Sequence, residues 1–269
     1  MPPEIDQISS SVFQDQGFYQ APELIPSDLI DESVEHMDRV INGNYETNPN
    51  SMYHFSRNYE PGNPKDKLIK INNAHGVDST LLKLISYHLI GETASLILFG
   101  AKQIQVWHTQ LLYKPTGGTI RGNIGFHQDY FYWQMFKNPE GILTAWIALS
   151  DITIESGPMC FVPGSHLWGL LDPGNFNEQI EYKAKAGIKL TQDQIWIEYP
   201  VIMPRGSVSF HHPMTFHGSG PNKSDQPRRS IAVHLCTEKS CLILDNEFVT
   251  KKTLKSLEEN PVIYRGKDG

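Results

Sequence analysis

From Gln103 onward the chain breaks into short segments rich in β-branched and aromatic residues, each closed off by glycine, proline or asparagine. This texture restricts the fold more than any other feature, because it belongs to short strands. It predicts strands over Gln103–Lys114, Gly125–Asp129, Leu143–Leu149, Met159–Val162, Ser207–His211 and Ser230–Cys236. So many short strands close into a sandwich or barrel of the jelly-roll kind, since each apolar sheet face needs a second layer to cover it. A helical layer is expected ahead of them. Leu29, Ile30, Val34, Met37, Val40 and Ile41 recur at three- and four-residue steps and predict a helix, with Ser27 or Asp28 as N-cap and its end near Asn42 and Gly43. A second helix is expected over Thr80–Leu98, and an irregular loop over Asn48–Lys67.

At 269 residues the chain suits one large domain. We expect residues 1–100 to form the helical layer, 101–240 the mainly β core with a lid-like insertion at 167–200, and 241–269 a tail. Lys251–Lys255 is expected on a solvated helix face. Lys and Arg number 23 against 30 Asp and Glu, a net charge of -7 that argues against nucleic acid as a partner. The longest apolar stretches, Ala94–Phe99 and Leu143–Leu149, fall far short of the roughly 20 residues that span a bilayer, so no membrane partner is expected. The first residues show neither the basic start nor the apolar run of a secretory signal. Cys160, Cys236 and Cys241 show no metal-finger or redox spacing, which fits reduced thiols in a cytoplasmic setting.

Gly125-Phe126-His127-Gln128-Asp129 carries the first chemical signal. Residues two apart on a strand share a face, so His127 and Asp129 can reach one point. An imidazole and a carboxylate there supply two ligands of a 2-His-1-carboxylate triad, which suits iron(II) and leaves open coordination positions; a hydrogen-bonded His–Asp pair on a surface strand is the plain alternative. The third ligand must come from a strand brought back by the fold. In His211-His212-Pro213-Met214-Thr215-Phe216-His217-Gly218-Ser219 the choice falls on His217, with His211 and His212 as competitors. Gly218 would leave room beside a metal. Arg228, eleven positions on, would present a planar, always-protonated fork to the distal carboxylate of a keto acid, with Ser219 adding a hydroxyl. His108 reads as a satisfied core histidine or a pocket residue, His234 equally as either, and His166 as organising a turn. The glycine-rich stretch 115–123 reads as a flap.

Trp107-His108-x-Gln110, Lys114-Pro115, His127-Gln128-Asp129, Leu143–Leu149, Ser156-Gly157-Pro158, Pro163-Gly164-Ser165-His166 and His217-Gly218-Ser219 with Arg228 stand in an order that resembles the phytanoyl-CoA dioxygenase family over roughly residues 100–236. The resemblance implies a double-stranded β-helix, a non-haem iron(II) centre, and 2-oxoglutarate and O2 as cosubstrates. It implies His127, Asp129 and His217 as iron ligands and Arg228 as the anchor for the 5-carboxylate of 2-oxoglutarate. Trp146, Ser219 and Gln110 would line the cosubstrate pocket, with Lys70, or Lys67 after a small misalignment, as a further carboxylate contact. Because Asp129 is a carboxylate, C–H hydroxylation is favoured over chlorination. Phe131, Tyr132, Trp133 and His234 are the candidates for touching a small-molecule substrate, with a specialised metabolite preferred to an acyl-CoA thioester. A cupin-type metalloenzyme and a non-catalytic metal- or 2-oxoglutarate-binding protein are the competing readings.

Overall fold

The computed structural model describes residues 7–51, 54–118, 122–171 and 190–266. In chain order its elements are α1 (Gln7–Gln16), β1 (Phe18–Glu23), α2 (Ser27–Ile41), β2 (Ser56–Arg57), β3 (Ile69–Asn72), α3 (Ser79–Ile85), α4 (His88–Ile97), β4 (Gln103–Lys114), β5 (Ile124–His127) and β6 (Ile142–Ala148). There follow β7 (Met159–Phe161), β8 (Tyr199–Pro200), β9 (Ser207–His211), β10 (His217–Ser219), β11 (Arg228–Thr237) and β12 (Val262–Arg265). The antiparallel strands form two sheets. The larger runs β1-β9-β6-β11-β4-β3-β2, with β12 beside the start of β4, and the smaller runs β5-β10-β7-β8.

Period-two alternation sorts the larger sheet's residues between its two faces. Leu143, Ala145 and Ile147 of β6 and Ile231, Val233 and Leu235 of β11 join one apolar cluster with Leu29, Ile30, Met37, Leu81, Ile90 and Ile97 of the helices. The intervening residues face the smaller sheet, where Trp146, Ala148 and Ala232 pack with Met159 and Phe161 of β7. Two facing antiparallel sheets with helices on one outer side make the double-stranded β-helix that the strand texture and the resemblance led us to expect.

Several boundaries differ from the sequence reading. The apolar pattern Thr80–Leu98 is two helices, broken at Ser86-Tyr87. Neither residue is a helix breaker; α3 packs on α2 while α4 packs on β12 and α1, so tertiary contacts set the break. Helix α2 begins at Ser27 with Pro26 as a cap that offers no side-chain acceptor, so neither Ser27 nor Asp28 serves as N-cap. The first 100 residues are not only helical, since β1 pairs with β9 and β3 with β4. Lys251–Lys255 lies on no α-helix; a short 3-10 turn, Thr253–Lys255, stands there. Residues 172–189 of the expected lid and 119–121 of the expected flap lie outside the described residues.

Candidate metal centre

Strand β5 stops at His127, and Asp129 opens a 3-10 turn, Asp129–Phe131, rather than sharing the strand face as expected. Gln128 fixes that turn. Its buried amide donates to Gly169 O (2.9 Å) and Met214 O (2.7 Å) and its oxygen accepts from Leu171 N (2.8 Å). The turn brings the carboxylate back beside the imidazole. Strand β10 pairs His217 directly with His127, and the ligand atoms of His127, Asp129 and His217 all lie within 4.8 Å of one another. Asp129 Oδ1 stands 3.4 Å from His127 Nε2 and 3.6 Å from His217 Nε2.

The other nitrogen of each ring is engaged. His127 Nδ1 donates to Gly125 O (2.8 Å) and His217 Nδ1 to Thr215 O (2.9 Å), which fixes the tautomers and turns both Nε2 lone pairs toward the shared point. Asp129 divides its oxygens similarly: Oδ2 accepts from Thr144 Oγ1 (3.2 Å) and His211 Nε2 (3.3 Å). His211, a competitor for the third ligand position, is therefore a partner of the carboxylate. Burial alone would raise the Asp129 pKa, but His217, His127 and His211 together hold it well below the ordinary carboxylate range. Burial, then His127, pushes His217 well below the imidazole range. Asp129 is thus held as a carboxylate and His217 as a neutral imidazole, the forms that ligate a metal.

Gly218 acts differently from the sequence reading. A Cβ there would stand 2.9 Å from Ile124 O and 3.0 Å from Phe126 N, so the missing side chain admits the β5 backbone rather than making room beside a metal. We expect Gly218→Ala to push β10 off β5, part His217 from His127 and weaken iron(II) binding at least about tenfold, the low end of what misoriented ligands cost. Equilibrium dialysis measures it, and wild-type affinity would refute this role.

A cavity of about 800 Å³ opens over the three ligands, within the range of small-molecule sites. Arg228, Trp146, Ser219, Gln110, Lys70 and Lys67 line it, as do His234, Tyr132, Trp133 and His108. Phe131 does not; it packs against the Tyr132 ring. At one end Arg228 is fully buried beneath Trp146, its guanidinium carbon 5.3 Å from the indole centroid; it donates to Gly157 O, and its Nε finds no partner among the described residues. Lys114, its cross-strand neighbour, is equally buried and donates to Ser219 Oγ and Gly220 O, both at 2.6 Å. Burial pulls Arg228 to about 10; burial, then Arg228, pulls Lys114 well below the lysine range. Neither forms an ion pair with a described carboxylate. The sequence reading gave Lys114 no role, although period two places it on the face of Leu112, Gln110 and His108.

His108, expected as a satisfied core histidine or a pocket residue, lines the cavity and has no partner on either nitrogen among the described residues. Burial pushes His234 and His212 to about 3 and lowers His75 and His108 as well. Above the ordinary imidazole value of 6.5 these rings are neutral in folded and unfolded chains alike. Below it the unfolded chain takes up protons that the folded one refuses, so stability falls as the pH drops below 6.5, down to about 3 for His234 and His212, by up to about 1.4 kcal/mol per pH unit per ring. Urea unfolding of the metal-free protein should therefore give a clearly lower midpoint at pH 5 than at pH 7. Equal midpoints would contradict neutral burial.

A double-stranded β-helix carrying two imidazoles and a carboxylate above a buried cationic end defines the class. The phytanoyl-CoA dioxygenase (PhyH) profile matches residues 13–230, and the chain belongs to that family. It is 32% identical over 154 residues to a probable phytanoyl-CoA dioxygenase of Caenorhabditis elegans, a match covering 56% of this chain and 48% of that one. The chain thus spans about half the length of that relative. It is 23% identical over 228 residues to a probable alpha-ketoglutarate-dependent hypophosphite dioxygenase of Stutzerimonas stutzeri, covering 82% and 75%. Among solved structures, the epimerase SnoN in complex with Fe3+, alpha ketoglutarate and nogalamycin RO superposes with a TM-score of 0.65 at 22% identity, over 88% of this chain and 85% of that one.

Proposed function

We propose that the chain is an iron(II)- and 2-oxoglutarate-dependent oxygenase that oxidises a C–H bond of a small molecule. The observation that carries this reading is one cavity with a His127–Asp129–His217 triad beside a buried Arg228 that pairs with no carboxylate among the described residues. The donor set fits iron(II), and the buried fork of Arg228 with its orphaned Nε fits a carboxylate. A ferrous centre loaded with 2-oxoglutarate and O2 supplies the oxidation, the keto acid leaving as succinate and carbon dioxide.

The chain's own residues hold and orient. His127 Nε2, Asp129 Oδ1 and His217 Nε2 would take the metal, while Thr144 and His211 keep Asp129 Oδ2 occupied and its other oxygen aimed inward. Arg228 would anchor the distal carboxylate of 2-oxoglutarate, with Lys114 holding Ser219 in place beside it. Trp146 excludes water from that end, and Gln110 and Lys70 would contact the keto-acid side. Tyr132, Trp133 and His234 face the remaining space, where the substrate would lie. Residues before β4 and after β11 act with the core as a single oxygenase unit, because β1, β3 and β12 all join the larger sheet.

Purified protein given iron(II), ascorbate and 2-oxoglutarate in air should form succinate slowly without any added substrate. Absence of succinate in protein that retains bound iron would favour a cupin-type reading, which has no need for Arg228, or a non-catalytic one that keeps the pocket.

A further inference from the structure

A row of polar side chains crosses the floor of the cavity. Cross-strand pairing sets His108 of β4 beside His234 of β11, His234 beside Thr144 of β6, and Thr144 beside His211 of β9. All four are at most 3% exposed. A β-bulge helps to build the row, since Trp107 is the extra residue of β4 between the pairs His108–His234 and Val106–Leu235. Trp107 then packs on both His234 and Trp133.

Hydrogen-bond polarity along the row is determined by its one fixed acceptor. Ionised Asp129 can only accept, so Thr144 must donate its single hydroxyl proton to Oδ2. The Thr144 oxygen, 2.9 Å from His234 Nδ1, must then accept from that nitrogen. Neutral His234 carries its proton on Nδ1, and Nε2 is left as a bare lone pair. That Nε2 has no partner among the described residues, nor has either nitrogen of His108, whose ring lies parallel to His234 at 5.6 Å. Both rings line the cavity with Trp133 and Phe248 beside them. A buried polar atom without a partner is costly, so such a set points to a ligand that completes it. The position is separate from the cationic end: His234 lies six positions along β11 from Arg228, roughly 20 Å of strand at about 3.3 Å per residue.

We propose that the substrate places a hydroxyl group against His234 Nε2, donating to its lone pair, with His108 meeting an adjoining polar group and Trp133 and Phe248 flanking an apolar body. The substrate class is then a hydroxylated, largely apolar small molecule. A carboxylate or phosphate at this position would set lone pair against lone pair. The inference rests on the reading of this cavity as a substrate site.

Nitrogen-15 NMR of the imidazoles in the metal-free protein tests it. At pH 7.5 His234 should appear as the Nδ1–H tautomer, and millimolar cyclohexanol should shift its Nε2 resonance while cyclohexanecarboxylate leaves it unmoved. His234→Phe should bind cyclohexanol about fivefold more weakly, the value of one hydrogen bond, and His108→Phe should leave the His234 tautomer unchanged. An Nε2–H tautomer, a response to the carboxylate or to cyclohexylammonium in place of the alcohol, or no response to any of the three would overturn the proposal. Because no metal is present, failure here is distinct from failure of the oxygenase reading, which succinate formation decides.

Discussion

Asp129→Ala is expected to abolish 2-oxoglutarate turnover, with a loss of more than about a thousandfold. Asp129 is the only acidic member of the cluster formed with His127 and His217, and Oδ1 faces both Nε2 atoms. Without it a divalent ion would keep two neutral ligands and lose the charge that offsets its desolvation. The change also removes the acceptor shared by Thr144 and His211, leaving both without that bond. Iron(II) affinity should fall at least about a hundredfold, the upper end of what losing an outer-shell partner alone costs. Thr144→Val removes one bond to Oδ2 and should cost about tenfold. Unaltered far-ultraviolet circular dichroism in both variants ties the loss to the site. Dialysis with iron(II) followed by a succinate assay measures both effects, and an active Asp129→Ala protein would show that the metal is held elsewhere.

Arg228→Ala should raise the apparent KM for 2-oxoglutarate by about a hundredfold or more and spare iron(II) binding. The expected size follows from removing one partner of a buried charge pair, which costs roughly 3–5 kcal/mol. Arg228→Lys keeps a charge but loses the planar fork, and should recover only part of the affinity. Lys114→Met is expected to move in the same direction less steeply, because it frees Ser219 Oγ and Gly220 O from the amine that holds them beside Arg228. Titration of 2-oxoglutarate against iron-loaded protein, read as KM and kcat separately, distinguishes these cases. An Arg228→Ala enzyme with wild-type KM would place the diacid elsewhere in the cavity.

Long strands were legible to within a residue or two because β-branched and aromatic residues fill them between turn-forming residues, as in Gln103–Lys114 and Ser207–His211. Of the short strands, β5 and β7 were expected to within two residues, whereas β1, β2, β3, β8, β10 and β12 were not. β10 is three residues, His-Gly-Ser, and β1 contains Pro22; pairing across many residues of chain, rather than local propensity, makes them strands. His127, Asp129, His217 and Arg228 could be picked out because ordered motifs name them, yet the geometry behind them could not. The turn at Asp129, the backbone approach at Gly218 and the burial of Lys114 each depend on which strand arrives opposite, and register is a tertiary property. The row His108–His234–Thr144–His211 was hidden for the same reason: its members are scattered over 127 positions of sequence and become neighbours only when four strands align.

Anaerobic addition of iron(II) and then 2-oxoglutarate, followed by visible absorption, probes the central claim most directly. Chelation of the keto acid to a ferrous ion held by His127, Asp129 and His217 should produce a weak charge-transfer band that saturates at one iron per chain and is lost in His217→Ala. No band in the wild type, or a band of equal intensity in His217→Ala, would contradict the account.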